Sequence, residues 1–315
     1  MKVLITGGSG FVGSHCVDAF AAAGHEVIAL DRAPAIHTQV GDSIIGELRD
    51  YATVEKAVLR SELVVHAGGL LGTHETVLMA DDAVRTNILG TLNVLEATTR
   101  HERKLINISK PNVWLNPYSI TKDCSEKFCF MHVEEFGAQV VTVKLYNVYG
   151  PRQKYNYVRK AIPTWIVDAL NGKPIEIFGS GAATVDLVHA RDVARGILAI
   201  AANFEACRLK PTVEIATDVY SCFPAHNGQI LELGSGKSIT VKESVETLAA
   251  VLDVPVEVKH LPMRRGEIDG TRLCANMTRM SAITGFCSEI DLTEGLRETV
   301  AYYRTKLPEV AERIL

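Results

Sequence analysis

No stretch of eighteen apolar residues occurs in the chain, so no segment is predicted to span a membrane. A positive surplus is missing as well. Lys and Arg number 33 against 37 for Asp and Glu, a formal charge of −4, which leaves no broad basic face for nucleic acid or an anionic bilayer. The N-terminus lacks the basic-then-apolar layout of a secretory signal, because Met1-Lys2 leads into a short apolar run and then glycines, and a cytoplasmic protein is expected. No CxxC pair occurs among the seven cysteines (Cys16, Cys124, Cys129, Cys207, Cys222, Cys274, Cys287). An odd, scattered set predicts free thiols in a reducing compartment and argues against zinc, which needs ligand pairs at close spacing. No metal is expected. Repeats, linkers and low-complexity tracts are absent too. What remains is a 315-residue chain with 47% apolar and 22% charged residues, the proportions of a globular protein with a sizeable core and a small partner.

In the first half, short apolar runs alternate with stretches of helical spacing, the signature of βαβ units and a parallel sheet. Val3-Leu4-Ile5 reads as a strand buried on both faces, and the helix after it carries Val12, Cys16 and Phe20 on one side until Gly24 stops it. Further strands are expected at 27–30, 43–45, 63–65, 105–108 and 140–143, with helices over roughly 52–60 and 82–99. After residue 150, Pro151, Pro163 and Pro174 break the alternation. The expected fold is α/β, a doubly wound parallel sheet of Rossmann type over 1–150, to which 183–205 returns, with a smaller α/β substrate lobe over 151–315. Ile230-Leu231-Glu232-Leu233, a helix near 241–252, a strand at 256–259 and a closing helix near 293–306 are assigned mostly to that lobe.

Thr6-Gly7-Gly8-Ser9-Gly10-Phe11-Val12-Gly13 lies between the first strand and the first helix. Glycine at 7 permits the tight turn, at 10 it lets backbone approach a pyrophosphate, and at 13 it allows helix to pack closely on sheet. Such turns also arise for geometric reasons alone, but Asp31 ends the second strand about twenty residues on, where a carboxylate can hold an adenosine ribose. Asp31 favours NAD over NADP, while Arg32 beside it is the residue that would speak for a 2′-phosphate.

Asn116 suits an N-cap and Pro117 a first helical position, so a helix should begin here with Tyr118 in its first turn and Lys122 on the same face. An acid–base tyrosine near neutral pH needs its pKa lowered by about three units, roughly 4 kcal/mol, and an ammonium together with the positive helix end acts in that direction. Alone, a tyrosine and lysine at this spacing are usually a packed ring and a solvated amine.

With the glycine turn, Asp31, Gly46-Glu47-Leu48-Arg49-Asp50, His66-Ala67-Gly68, Asn87, Tyr118-Ser119-Ile120-Thr121-Lys122, Asn147-Val148-Tyr149-Gly150-Pro151-Arg152, Asp186, Asp192 and Arg264-Arg265-Gly266-Glu267, nearly the whole chain resembles the extended short-chain dehydrogenase/reductase family, in its nucleotide-sugar epimerase and dehydratase branch. The resemblance implies NAD as cofactor and a nucleotide-diphosphate sugar as partner. It places Gly7, Gly10, Phe11, Val12 and Gly13 by the pyrophosphate, Asp31 and Arg32 by the ribose, and Glu47 and Leu48 by the adenine. Ala67, Gly68, Asn87, Tyr118 and Lys122 follow along the cofactor, and Asn147 and Arg264 lie by the sugar nucleotide's diphosphate. It also implies a homodimer through helices 82–99 and 118–136, in which Cys124, Phe128 and His132 could form a seam or equally an internal core face.

The pattern breaks in three places. Family members carry Ser or Thr after the fifth strand, and alignment puts Lys110 there rather than Ser109. Either a one-residue shift brings the Ser109 hydroxyl to Tyr118 or Lys110 points in. Ser109 is the expected third catalytic residue, since a second buried ammonium near Lys122 would suffer desolvation and repulsion. The connection from there to Tyr118 is short, and Pro111-Asn112 stands where dehydratases place an Asp-Glu pair, so elimination of water lacks its acid. Val185 replaces a usual arginine, for which Arg191 could substitute, though a surface charge explains Arg191 as well. The expected activity is NAD-dependent epimerisation of a nucleotide sugar through a transient ketone. Net dehydrogenation or reduction of a sugar or small alcohol is the alternative, and a non-catalytic NAD sensor a second.

Overall fold

The computed structural model describes residues 1–35, 37, 41–111, 113–156, 158–211 and 228–312, with side chains as far as residue 306; Asn112 and Cys222 lie outside the described residues. The first half runs β1 (Lys2–Thr6), α1 (Phe11–Ala22), β2 (Glu26–Asp31), β3 (Asp42–Ile45), α2 (Tyr51–Leu59), β4 (Leu63–His66), α3 (Ala80–Ala83), α4 (Gly90–Arg100), β5 (Lys104–Ser109), α5 (Pro117–Phe136) and β6 (Val140–Leu145). The second half adds β7 (Asn147–Tyr149), α6 (Ala161–Leu170), β8 (Ile175–Phe178), β9 (Thr184–Val185), β10 (Leu187–His189), α7 (Ala190–Ala202) and α8 (Phe204–Cys207). It closes with β11 (Leu231–Leu233), β12 (Ile239–Thr240), α9 (Val241–Leu252), β13 (Val258–Leu261), α10 (Thr278–Thr284) and α11 (Leu292–Glu312).

Seven parallel strands form one sheet in the order β11-β6-β5-β4-β1-β2-β3. Alternate residues of each strand face opposite sides, and both sides are covered. Val3, Ile5, Val65, Ile106 and Val141 pack with Cys16, Phe20 and Ile197 from α1 and α7, while Leu4, Ile28, Val64, Leu105 and Val140 pack with Val54, Val94 and Phe130 from α2, α4 and α5. Each such side chain, fully removed from water, contributes about 1.5–3 kcal/mol. Strand order reverses between β1 and β4, the switch point at which such sheets open a crevice beyond their carboxyl ends.

Two expectations need correction. Leu231–Leu233 is an edge strand of the large sheet, paired with β6, and not part of the smaller lobe; a three-residue apolar strand carries no mark of which sheet it joins. The stretch 82–99 is not one helix, because a π-helical turn, Val84–Leu89, separates α3 from α4. In that wide turn the Asn87 carbonyl also accepts from the hydroxyls of Thr91 and Ser125.

The smaller lobe holds β8 paired with β13 and β9 with β12, so its second strand lies slightly beyond the expected 256–259. Its core joins Trp165 and Ile166 of α6 to Leu248 of α9 and Leu296 of α11.

Candidate active site

The glycine turn is closed by backbone contacts. Gly7 has φ +69°, and a Cβ there would stand 2.8 Å from the Gly68 backbone, so the loops after β1 and β4 touch at the switch point. Gly13 packs against the turn itself and not the sheet, since a Cβ would overlap the Gly7 carbonyl oxygen. No side chain caps α1 and its first turn holds no acid, which leaves the N–H groups and positive end of the helix facing the crevice. Phe11 and Val12 are half-buried at its start. Asp31 accepts from the Ser9 backbone N–H at 3.1 Å and from that of Arg32 at 2.7 Å, holding its carboxylate against the turn, whereas Arg32 is exposed. Leu48 lines the gap between Gly68 and Gly90, and Glu47 is exposed beside it. Under the turn, Thr6 accepts from the Gly68 N–H and bonds to His66 Nδ1, whose Nε2 meets the Thr91 hydroxyl at 3.0 Å. Burial brings the His66 pKa down to about 3, so this bridge is neutral.

At the other end, the Asn116 side chain accepts from the Ser119 N–H at 3.0 Å and Pro117 opens the helix, which fixes Tyr118 and Lys122 on the first turns of α5. Lys122 is 6% exposed and donates to the Ile108 carbonyl at 2.9 Å. Gly69, after β4, faces both Lys122 and Asn87: a Cβ on it would come within 3.7 Å of the ammonium nitrogen.

Here the expectations shift. Ser109 donates to Glu126, which is also paired with Lys144 at 3.1 Å, so its hydroxyl is turned under α5. Lys110 takes the place beside the tyrosine. Its nitrogen lies 5.2 Å from the centre of the Tyr118 ring, over the ring, and donates to Ser119 Oγ at 2.9 Å and to the Pro111 carbonyl at 2.6 Å. The pKa of Tyr118 is not lowered as expected but pushed up to about 12 by burial, because Lys122 is bonded to a carbonyl and Lys110 stands over the ring face. Burial, helped at Lys110 by repulsion from Lys160, brings both ammoniums down to about 8.

A strap over residues 264–271 covers the short connection between β5 and α5. Asn116 donates to the Gly266 carbonyl at 3.1 Å, Trp114 to Thr271 Oγ1 at 2.9 Å, and Thr73, after β4, to Glu267 at 2.6 Å. Glu267 holds Arg264 through two hydrogen bonds of 2.6 and 3.1 Å, and the guanidinium lies 4.8 Å over the Phe178 ring. Asn147, on β7, has a buried Oδ1 with no hydrogen-bond partner among the described residues.

The profile of the NAD dependent epimerase/dehydratase family matches residues 3–216. The chain belongs to this family. UDP-N-acetyl-alpha-D-glucosaminuronate decarboxylase of Bacillus cytotoxicus is 23% identical over 96% of this chain and 98% of its own length. dTDP-glucose 4,6-dehydratase of an Actinoplanes species is 24% identical over 96% and 98%. Among solved structures, the UDP-glucose 4-epimerase of Thermotoga maritima with UDP-glucose covers 98% of this chain and 100% of its own, with 24% identity and a TM-score of 0.82.

For this epimerase/dehydratase family member, an extended short-chain dehydrogenase/reductase, the cofactor is NAD. The residues fit it: glycines at 7, 10 and 13 keep the crevice floor free of side chains, and the Asp31 carboxylate at the end of β2 is held against that turn. Asn87 has its amide filled by Leu70 and Thr121, with Oδ1 taking the Leu70 N–H at 2.7 Å and Nδ2 donating at 2.8 and 3.0 Å, so it positions the loop beside Lys122. Arg191 is exposed in the first turn of α7 and pairs with Glu298 of α11, leaving it no bond to the tyrosine site. His132 likewise turns inward, 3.1 Å from Thr99. Sequence reasoning did not find the Glu126–Lys144 pair, whose members are distant in the chain, or Lys160, which reaches the Lys110 side from ahead of α6. Among the described residues there is no cluster of metal-ligating side chains, no helix able to cross a membrane, and no disulfide.

Proposed function

We propose that the protein is an NAD-dependent epimerase of a nucleotide-diphosphate sugar. The observation that carries this is the acid inventory around Tyr118. Glu126 is bound by Ser109 and Lys144, and Glu267 by Arg264 and Thr73, so neither carboxylate is free to protonate a leaving hydroxyl. Elimination needs that acid, and epimerisation does not. NAD, when bound, supplies reversible hydride acceptance from the sugar carbon. Tyr118, a protonated phenol in the cofactor-free protein, must first give up its proton to solvent; as phenolate it takes the proton of the sugar hydroxyl and later returns it, so its oxygen ends the cycle as it began. Lys122, at the same helix face, holds positive charge where the phenolate forms. Asn147 and Arg264 supply an amide and a guanidinium for the diphosphate. Ala67, Gly68 and Gly69 line the cofactor's path. The exposed Leu89, Ile120 and Met131 offer an apolar face for a homodimer.

The test is incubation of the NAD-loaded protein with UDP-glucose, UDP-glucuronate and dTDP-glucose, followed by NMR and mass spectrometry. An epimer of unchanged mass with no accumulation of NADH supports the reading. Loss of water or of carbon dioxide from the product refutes it.

A further inference from the structure

Beside Tyr118 the protein has built a positive charge that the epimerisation just described does not use. Lys110 stands over the ring and makes no hydrogen bond to the phenol oxygen. Among the described residues, Ser119 and Pro111 satisfy two of its three N–H donors and one is left. No carboxylate forms an ion pair with it or with Lys160, the residue that precedes α6, among the described residues. Around Lys110 the charged groups are Lys160, Lys122 and Lys144 on the positive side and Glu126 on the negative, and Glu126 is already held by Lys144 and Ser109. Glu75 and Glu267 act on Lys160 from beyond ion-pair distance. A half-buried ammonium near three others, of which only Lys144 is paired with Glu126, is unfavourable unless an anion joins it.

Lys122 and Arg264 already have roles with the cofactor and the diphosphate. A neutral hexose gives Lys110 only hydroxyls, for which Ser or Thr would serve without the repulsion. Resting on the nucleotide-sugar reading, we infer that Lys110 receives a carboxylate carried by the sugar ring, so that the substrate is a nucleotide-diphosphate uronic acid. The free N–H and the charge together make one charge-assisted hydrogen bond, about twice as strong as one to a neutral hydroxyl. Lys160 adds attraction at longer range.

Calorimetric titration of the NAD-loaded protein with UDP, UDP-glucose and UDP-glucuronate tests this, using wild type, Lys110→Met and Lys110→Arg. The wild type should bind UDP-glucuronate about tenfold or more tighter than UDP-glucose. That ratio should fall to about one in Lys110→Met and persist in Lys110→Arg, while affinity for UDP, which has no sugar, stays alike in all three. A structural role for Lys110 as a support for the Tyr118 ring would weaken both sugars equally in Lys110→Met. Such a result overturns the inference, as does equal binding of the two sugars by the wild type. Binding and epimerisation of UDP-glucose without preference for the uronate overturn it while leaving the proposed function standing. Failure of UDP and both sugars to bind removes the nucleotide-sugar reading, and this inference with it.

Discussion

At the glycine turn the contacts are made by backbone: Gly7 against Gly68, Gly13 against the Gly7 carbonyl, and Asp31 on the N–H groups of Ser9 and Arg32. At the tyrosine they are made by long side chains from separate segments, with Lys110, Lys122 and Lys160 free of ion pairs and the Asn147 oxygen unpartnered among the described residues. One end is fixed by backbone and leaves only the N–H groups of α1 open. The other holds charge in reserve. A cofactor that serves every turnover can be met by a fixed surface, whereas a substrate that exchanges in each cycle is met by groups whose desolvation is offset only when it arrives.

That contrast can be broken most sharply at Tyr118. Tyr118→Phe should lose about 10² to 10⁴ in kcat, the range for an acid–base group, while calorimetry shows NAD affinity little changed. A parallel loss of NAD binding would mean that the two ends are not separable. Next in size is Gly13→Ala, where the added methyl meets a carbonyl that cannot move freely. Denaturant unfolding should show a loss of about 1–3 kcal/mol together with weaker NAD binding. Gly24→Ala is the control: its φ is +80° but nothing lies within 4 Å, so strain of about 1–2 kcal/mol should appear with NAD affinity intact.

Smaller is the effect of Asp31→Ala, which removes both the ribose acceptor and the repulsion of a 2′-phosphate. The ratio of NAD to NADP affinity should narrow by about tenfold, and unchanged preference would pass the selection to another residue. The smallest is an expected absence. With the phenol pushed up to about 12, Tyr118 stays protonated at and below pH 10 in cofactor-free protein. Ultraviolet titration of wild type against Tyr118→Phe should give no tyrosinate difference up to that pH, and a step near neutrality would show that Lys122 lowers the phenol on its own.

Local signals made the backbone-built end legible. Glycines at turn spacing, an acid ending the second strand, and Asn116-Pro117 ahead of a helix each act within a few residues. The substrate end depends on pairs far apart in sequence, such as Thr73 with Glu267 and Glu126 with Lys144, which no local pattern announces. Lys110 was within reach. Ile106 and Ile108 face α1, so alternation along β5 turns Ser109 toward α5 and Glu126. A hydroxyl at the last strand position therefore could not also face Tyr118. The π-turn at Val84–Leu89 had no such marker, because its hydroxyl partners Thr91 and Ser125 come from α4 and α5. Asp186 and Asp192 matched the family yet are buried staples, receiving the N–H groups of Ser235, Gly236 and Ala275 and of Glu289 and Ile290.

The strap over residues 264–271 is tied to the segments on either side of the site, to Thr73 behind β4 and to Trp114 and Asn116 ahead of α5. For the epimerisation proposed above, whose midpoint would be a neutral ketone, this has a kinetic meaning. A ketone that leaks away leaves the cycle half finished, so fidelity depends on how rarely the cover lifts before the hydroxyl is restored. Lifting it breaks three hydrogen bonds at once, and one of them ends on the residue that caps the tyrosine's own helix. In that proposed cycle, escape of the intermediate and disordering of the Tyr118 helix start would be one event, because both depend on the bonds that Asn116 makes.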